Sequence, residues 1–228
     1  MFLVKEVSTE EATTVWQNSV SASLFTCPEF LNNLSLKTRF LGGYKNDDLL
    51  VIWPLVESEN GFNSPPAFSY YFGPYWIKNN SDEKPYKKYR NNLEVLNCLV
   101  EKIVSIAPKI KFSVSPEFLD LRPFQWWNYH NPKDGQFKIN LKYTAKYILD
   151  EIIDEEQIIN SFRLDDKRKK VKQIIKQGNL ITKSEMSQPI SFYIEIYKKT
   201  ILRSGGTFKD KELNFLIKII ELCKKKMF

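Results

Sequence analysis

Apolar positions along the chain change period several times, and each change marks an element. The short run Phe2–Val7 reads as a strand, and Ser8 followed three residues later by Glu11 is a capping-box signature that opens a helix running to about residue 21. A second short helix follows Pro28. Residues 38–44 and 49–56 are rich in strand formers and flank the turn residues Asn46, Asp47 and Asp48, and a third, aromatic strand is expected over residues 68–77, completing a three-strand meander. Within residues 82–107, Leu93, Leu96, Leu99, Val100, Ile103 and Val104 recur at helical spacing, and residues 109–114 then read as a strand. The order to this point is β, α, α, β, β, β, α, β.

An aromatic segment, DLRPFQWWNYH over residues 120–130, leads into extended pieces at residues 136–141 and 144–148, and there the pattern restarts. Asp154 with Gln157 gives another capping-box match and a helix. A second helix spans residues 165–177 with Gly178 as its C-terminal cap. Residues 180–184 look extended. Ile190, Tyr193, Ile194, Tyr197 and Ile201 then fit a helix ending near Gly205 and Gly206, and Leu213, Leu216, Ile217 and Ile220 fit a last one. Strand, helix, helix thus occurs twice, which suggests two related units in tandem. The second contains no meander after its helices and reads as unfinished.

Composition narrows the class. The 228 residues, 43% hydrophobic and 14% aromatic, suffice for a substantial core. No apolar run approaches the ~20 residues a membrane span needs, and acidic residues stand where a signal peptide would place its apolar stretch, so a cytoplasmic protein is expected. Cys27, Cys98 and Cys223 are far apart and lack metal spacing, which makes disulfides and zinc poor readings. The formal charge is +7, and residues 161–178, SFRLDDKRKKVKQIIKQG, carry seven basic residues against Asp165 and Asp166. A polyanionic partner is expected to meet the chain there. One histidine, His130, and no GxSxG exclude a recognisable catalytic triad.

Three stretches carry a family resemblance. Arg168, Val171, Ile174, Lys176 and Gly178 match a pattern of arginine, two aliphatic positions, lysine and glycine at offsets of three, six, eight and ten, downstream of Tyr143 and Thr144. Thr200 and Arg203 end the next helix before a glycine turn. Asp120, Arg122, Trp126, Asn128 and Tyr129 form an aromatic joining segment. In these the chain resembles the FemAB-type tandem GNAT-fold transferases. The resemblance implies an α/β fold with a mixed sheet: a GNAT-like unit over residues 1–142, followed by an incomplete second one over residues 143–228. It also implies transfer of an acyl or aminoacyl group from acyl-CoA or aminoacyl-tRNA, as co-substrate and not as a tightly bound cofactor. The acceptor would be an amine of a cell-envelope precursor or amino sugar, held in a cleft between the units. Such chemistry asks for orientation, proton removal and oxyanion stabilisation, and for no covalent nucleophile. Residues 76–90 contain no glycine, so the first unit is not expected to cradle CoA in the family's usual way; the second unit, where the family's donor site commonly falls, reads as truncated, which leaves both an active and an inactive chain open.

Each candidate residue has two readings. Arg168, Lys172 and Lys176 line up four apart, with Val171, Ile174 and Ile175 turned the opposite way toward a core; they are a solvated helix face or a contact for tRNA, CoA phosphates or a nucleotide-linked precursor. Arg163 and Arg203 would clamp a carboxylate or phosphate, or pair with Asp165, Asp166 and the acids of residues 154–156. Trp126, Trp127 and Tyr129 line a substrate groove or pack in the core. Asp120 with Arg122 reads as a structural pair, and His130 as a turn residue. Two further classes stand beside the enzyme: a non-catalytic GNAT-like remnant or partner-binding module, and a generic RNA-binding protein, for which no recognised motif speaks.

Overall fold

The computed structural model describes residues 1–19, 21–57, 65–78, 83–144, 155–161, 165–177 and 188–224. Four strands, β1 (Phe2–Val7), β2 (Thr38–Lys45), β3 (Asp48–Val56) and β4 (Tyr75–Trp76), form one sheet in the order β1-β2-β3-β4. Helices α1 (Thr9–Gln17) and α2 (Pro28–Asn33) lie between β1 and β2, and the long α3 (Pro85–Ile106) follows β4. The fold is therefore α/β, but every strand pair in this sheet is antiparallel, which corrects the expected mixed sheet.

The reason lies at its last edge. Residues 109–114, expected as a strand, add no strand to this sheet: Ile110 alone takes part in a β-bridge, and Ser113 lies beside Phe72. Ser113 donates its N–H to the Phe72 carbonyl at 3.0 Å, while its hydroxyl accepts the Phe72 N–H at 3.2 Å. A side chain thus replaces the carbonyl that a paired strand would offer. The aromatic strand expected over residues 68–77 is similarly shortened to β4 plus a bridge between Ser19 and Ile77. Phe68 and Tyr71 adopt φ of 61° and 56°, a left-handed backbone that ends pairing.

Local chemistry starts and stops the helices. The Ser8 hydroxyl accepts the Glu11 N–H at 3.1 Å and caps α1. The Glu11 carboxylate turns to the Tyr44 hydroxyl, and burial first, then the Glu11 charge, hold that phenol above its usual range. On one face of the sheet the apolar stripe of α3, with Val95, Leu96, Leu99, Val100 and Ile103 buried, packs on Leu41, Val51, Trp53 and Leu55. On the other, Ala12 of α1 and Leu31 of α2 meet Val7, Phe40, Ile52 and Tyr75. Each buried Leu or Ile stabilises by about 2 kcal/mol relative to exposure. The β2–β3 register slips between Gly43 and Tyr44, so that Leu50 and Val51 both serve the α3 face, a bulge that bends β3.

Two compact units emerge. The first joins Met1–Asn140 to Pro189–Phe228, and the second is Leu141–Gln188. The last two helices, α7 (Ile190–Arg203) and α8 (Asp210–Lys224), thus belong with the sheet and not with the 143–228 unit drawn from the sequence. Their apolar faces supply the reason: Phe215, Ile219 and Leu222 of α8 pack on Cys27, Phe30 and Leu34, and the Tyr197 ring of α7 meets Phe68 edge to face at 5.5 Å. Helix α7 closes where expected. Gly205, at φ 74°, donates to Leu202 and Gly206 to Ile201, both at 3.0 Å, the paired hydrogen bonds of a Schellman cap. In the second unit α5 (Glu155–Ser161) packs on α6 (Asp165–Lys176).

Candidate functional site

Helix α6 carries the densest charge. Asp165 and Asp166 occupy its first turn and Lys176 its last, an arrangement the helix dipole favours at both ends. Asp165 also accepts from the Arg168 guanidinium at 3.4 Å, one turn on. Arg168, Lys172 and Lys176 share one line along the helix, with Lys172 and Lys176 exposed and Arg168 half-buried. Side chains four apart on a helix sit about 6 Å from one another, which matches contact with successive phosphate groups. The opposite side departs from expectation: Ile174 and Ile175 are 40% and 37% exposed, and only Val171 is half-buried. The pattern had placed all three against a core. A helix of twelve residues paired with one of seven covers less than the full stripe. Arg163 and Gly178 lie outside the described residues.

The joining segment belongs to the first unit. Asp120 holds Arg122 through two bonds, Nε to Oδ1 at 2.8 Å and Nη2 to Oδ2 at 2.6 Å, and also accepts the Arg122 N–H. The Arg122 side-chain hydrogen bond holds the Asp120 carboxyl below its usual range against the opposing effect of burial. Across the short helix α4 (Arg122–Gln125) the same guanidinium lies 5.8 Å from the Trp126 ring centre. Trp126 and Tyr129 are 58% and 65% exposed, whereas Trp127 packs against the core formed with α3. Of the three aromatic residues, two face solvent and one is structural.

Asn128, expected only as part of the aromatic segment, shapes the loop. At φ 49° it donates through Nδ2 to the carbonyls of Asp134 and Gly135 at 3.0 and 2.8 Å, and its carbonyl accepts from the Gln136 amide. His130 is exposed beside the Tyr129 ring. Arg203 is exposed at the end of α7, while the Thr200 hydroxyl donates back to the Ile196 carbonyl at 2.8 Å and so serves the helix itself. Arg122 and Trp126 are thus brought together. Lys172 and Lys176 extend the line from Arg168 in a separate unit.

Two features carried no sequence signal. Lys45 and Asn91 converge on one oxygen of Glu83, at 3.0 and 2.7 Å, joining the end of β2 to the start of α3. The Tyr75 hydroxyl is fully buried with no hydrogen-bond partner among the described residues, and burial pushes its ionisation far above the usual phenol range. Among the described residues no helix is long and apolar enough to cross a membrane, and no group of three or more His, Cys, Asp or Glu side chains is placed to hold a metal ion. No family model, no curated protein and no solved structure matches the chain.

Proposed function

We propose that the chain is a FemAB-like N-acyl- or aminoacyltransferase, moving an acyl group from acyl-CoA or aminoacyl-tRNA to an amine of an envelope precursor or amino sugar. The observation that carries this reading is the element order of the first unit: strand, two helices, three antiparallel strands and a long helix, with helices on both faces of the sheet. That order is what the GNAT-like resemblance implies, and the basic motif from Arg168 to Lys176 stands on an exposed helix, accessible to a phosphate-bearing donor. Transfer itself needs the donor carbonyl and acceptor amine held together and the amine deprotonated.

The test incubates the chain with radiolabelled aminoacyl-tRNA or acyl-CoA and an amine acceptor, and follows label into acceptor. Arg168→Ala should raise the KM for the donor about tenfold, as loss of one phosphate contact allows, with unfolding unchanged. A folded chain that neither binds nor transfers from either donor overturns the reading.

The exposure of Ile174 and Ile175 beside the cations of α6 favours a second reading, a module that binds a partner through this helix without catalysis. Stable association of a chain inactive toward both donors, lost on Ile174→Ser and Ile175→Ser, would select it.

A further inference from the structure

Helix α3 outruns the sheet on which it packs. Val95 and Leu96 are fully buried, yet Lys88 and Tyr89, seven residues earlier and so on nearly the same side of the helix, are exposed. All seven residues from Lys84 to Arg90 are exposed, so the first two turns project beyond the core on every side. They read KPYKKYR. Four are cations, Lys84, Lys87, Lys88 and Arg90, and two are tyrosines, Tyr86 and Tyr89, 63% and 60% exposed.

Among the described residues, the acid next to this stretch is already engaged. Glu83 gives its carboxylate to Lys45 and Asn91, and the Lys45 hydrogen bond holds it below the usual range. The next acid, Glu94, lies a full turn past Arg90. None of the four cations has a carboxylate within ion-pair distance among the described residues. The tyrosines, three apart, share a side of the helix and continue toward the buried stripe at Leu96 and Val100. Two exposed rings flanked by cations that form no salt bridge among the described residues, with Lys87 alone acting on Glu83 through space, offer faces for stacking and charges for phosphates.

We propose that the first two turns of α3 bind single-stranded nucleic acid, with Tyr86 and Tyr89 stacking on bases and Lys84, Lys87, Lys88 and Arg90 holding the backbone. Side-chain charge and ring exposure carry this assignment, and it stands independently of the transferase reading. A membrane surface fits the same charge less well, because a lipid-facing helix buries Trp, Phe or Leu, and this stretch offers only tyrosines. Stacking platforms interleaved with cations are the means by which proteins hold unpaired strands without reading sequence.

The test is fluorescence anisotropy of the full chain with labelled oligouridylate and oligothymidylate of about 16 nucleotides at several salt concentrations. Binding should weaken steeply with salt. Lys87→Ala, Lys88→Ala and Arg90→Ala together should lower affinity at least tenfold and flatten the logarithmic salt slope by about 2. Tyr86→Ala with Tyr89→Ala should cost at least about thirtyfold while leaving the slope unchanged. These residues lie outside the core, and circular dichroism verifies that each variant remains folded. Arg168→Ala, Lys172→Ala and Lys176→Ala together control for α6. Three results overturn the proposal: no binding by the native chain at low salt, α3 variants that bind as the native chain does, or binding to phosphatidylserine vesicles with none to either oligonucleotide. No donor or acceptor of acyl groups is present, so failure here leaves the transfer reaction to its own test.

Discussion

Leu36 donates its N–H to the Leu31 carbonyl at 3.1 Å, closing α2 over a residue that is not glycine. The residue between, Ser35, stands at φ 58° and donates to the Asn32 carbonyl at 2.8 Å. The pattern is the one that Gly205 and Gly206 make at the end of α7, but here a side chain bears the strain of the left-handed backbone. Ser35→Gly should therefore stabilise the fold by about 1 kcal/mol, even after the extra chain entropy that glycine restores to the unfolded state. A rise in the urea midpoint at constant m-value is the expected result. An unchanged or lower midpoint would show that Ser35 is not strained.

Gly42 and Gly43 sit in the middle of β2. A Cβ on Gly43 would lie 2.7 Å from the Val95 Cγ2 and 2.8 Å from the Val51 Cγ1, both β-branched side chains with little rotamer freedom. Absence of a side chain is what lets α3 approach the sheet. Gly43→Ala should cost about 1–3 kcal/mol through overpacking, and Val95→Ala in the same chain should recover part of that loss. Strict additivity of the two losses in a double-mutant cycle would show that they do not meet.

The Tyr75 ring fills the core under α1 and α2, but its hydroxyl finds no partner among the described residues. A buried hydroxyl without a hydrogen bond costs about 1–3 kcal/mol. Tyr75→Phe keeps the ring and removes that cost, so stability should be equal or higher by thermal melting. A clear loss would reveal a hydrogen bond to the phenol.

Periodicity identified which residues share a face, and it succeeded where a face is long and covered. The half-buried side of α7 comprises the expected Ile190, Tyr193, Ile194, Tyr197 and Ile201, and α3 buries the expected Leu96, Leu99, Val100 and Ile103. It failed where tertiary contact decides. Nothing in residues 68–77 announces that Phe68 and Tyr71 take a left-handed backbone, because neither is among the residues that do so readily. The stripe on α6 is periodic, but Ile174 and Ile175 are exposed, because period cannot say whether anything lies against it. Lys45 and Glu83 are 38 residues apart, and their pairing, which leaves the start of α3 so cationic, has no local signature. The candidate residues Trp126 and Tyr129 were legible as aromatic, but their exposure depends on Trp127 taking the inward position.

Asp120 and Arg122 allow a pH test of the joining segment. Arg122 keeps the Asp120 carboxyl ionised to lower pH in the folded chain than in the unfolded one, where it titrates near the ordinary value of about 3.9. The folded state thus binds the proton less readily, and the stabilisation is complete above about pH 5. It declines as pH falls below the ordinary value and through the lower folded-state one. Asp120→Asn removes that contribution, so the variant should melt below the native chain at pH 7, and the gap should narrow steadily below about pH 4. The lost pair also frees the guanidinium 5.8 Å from the Trp126 ring, so Trp126 emission should respond to the same substitution. A gap that stays constant from pH 7 to pH 3 would mean that the carboxylate charge contributes nothing.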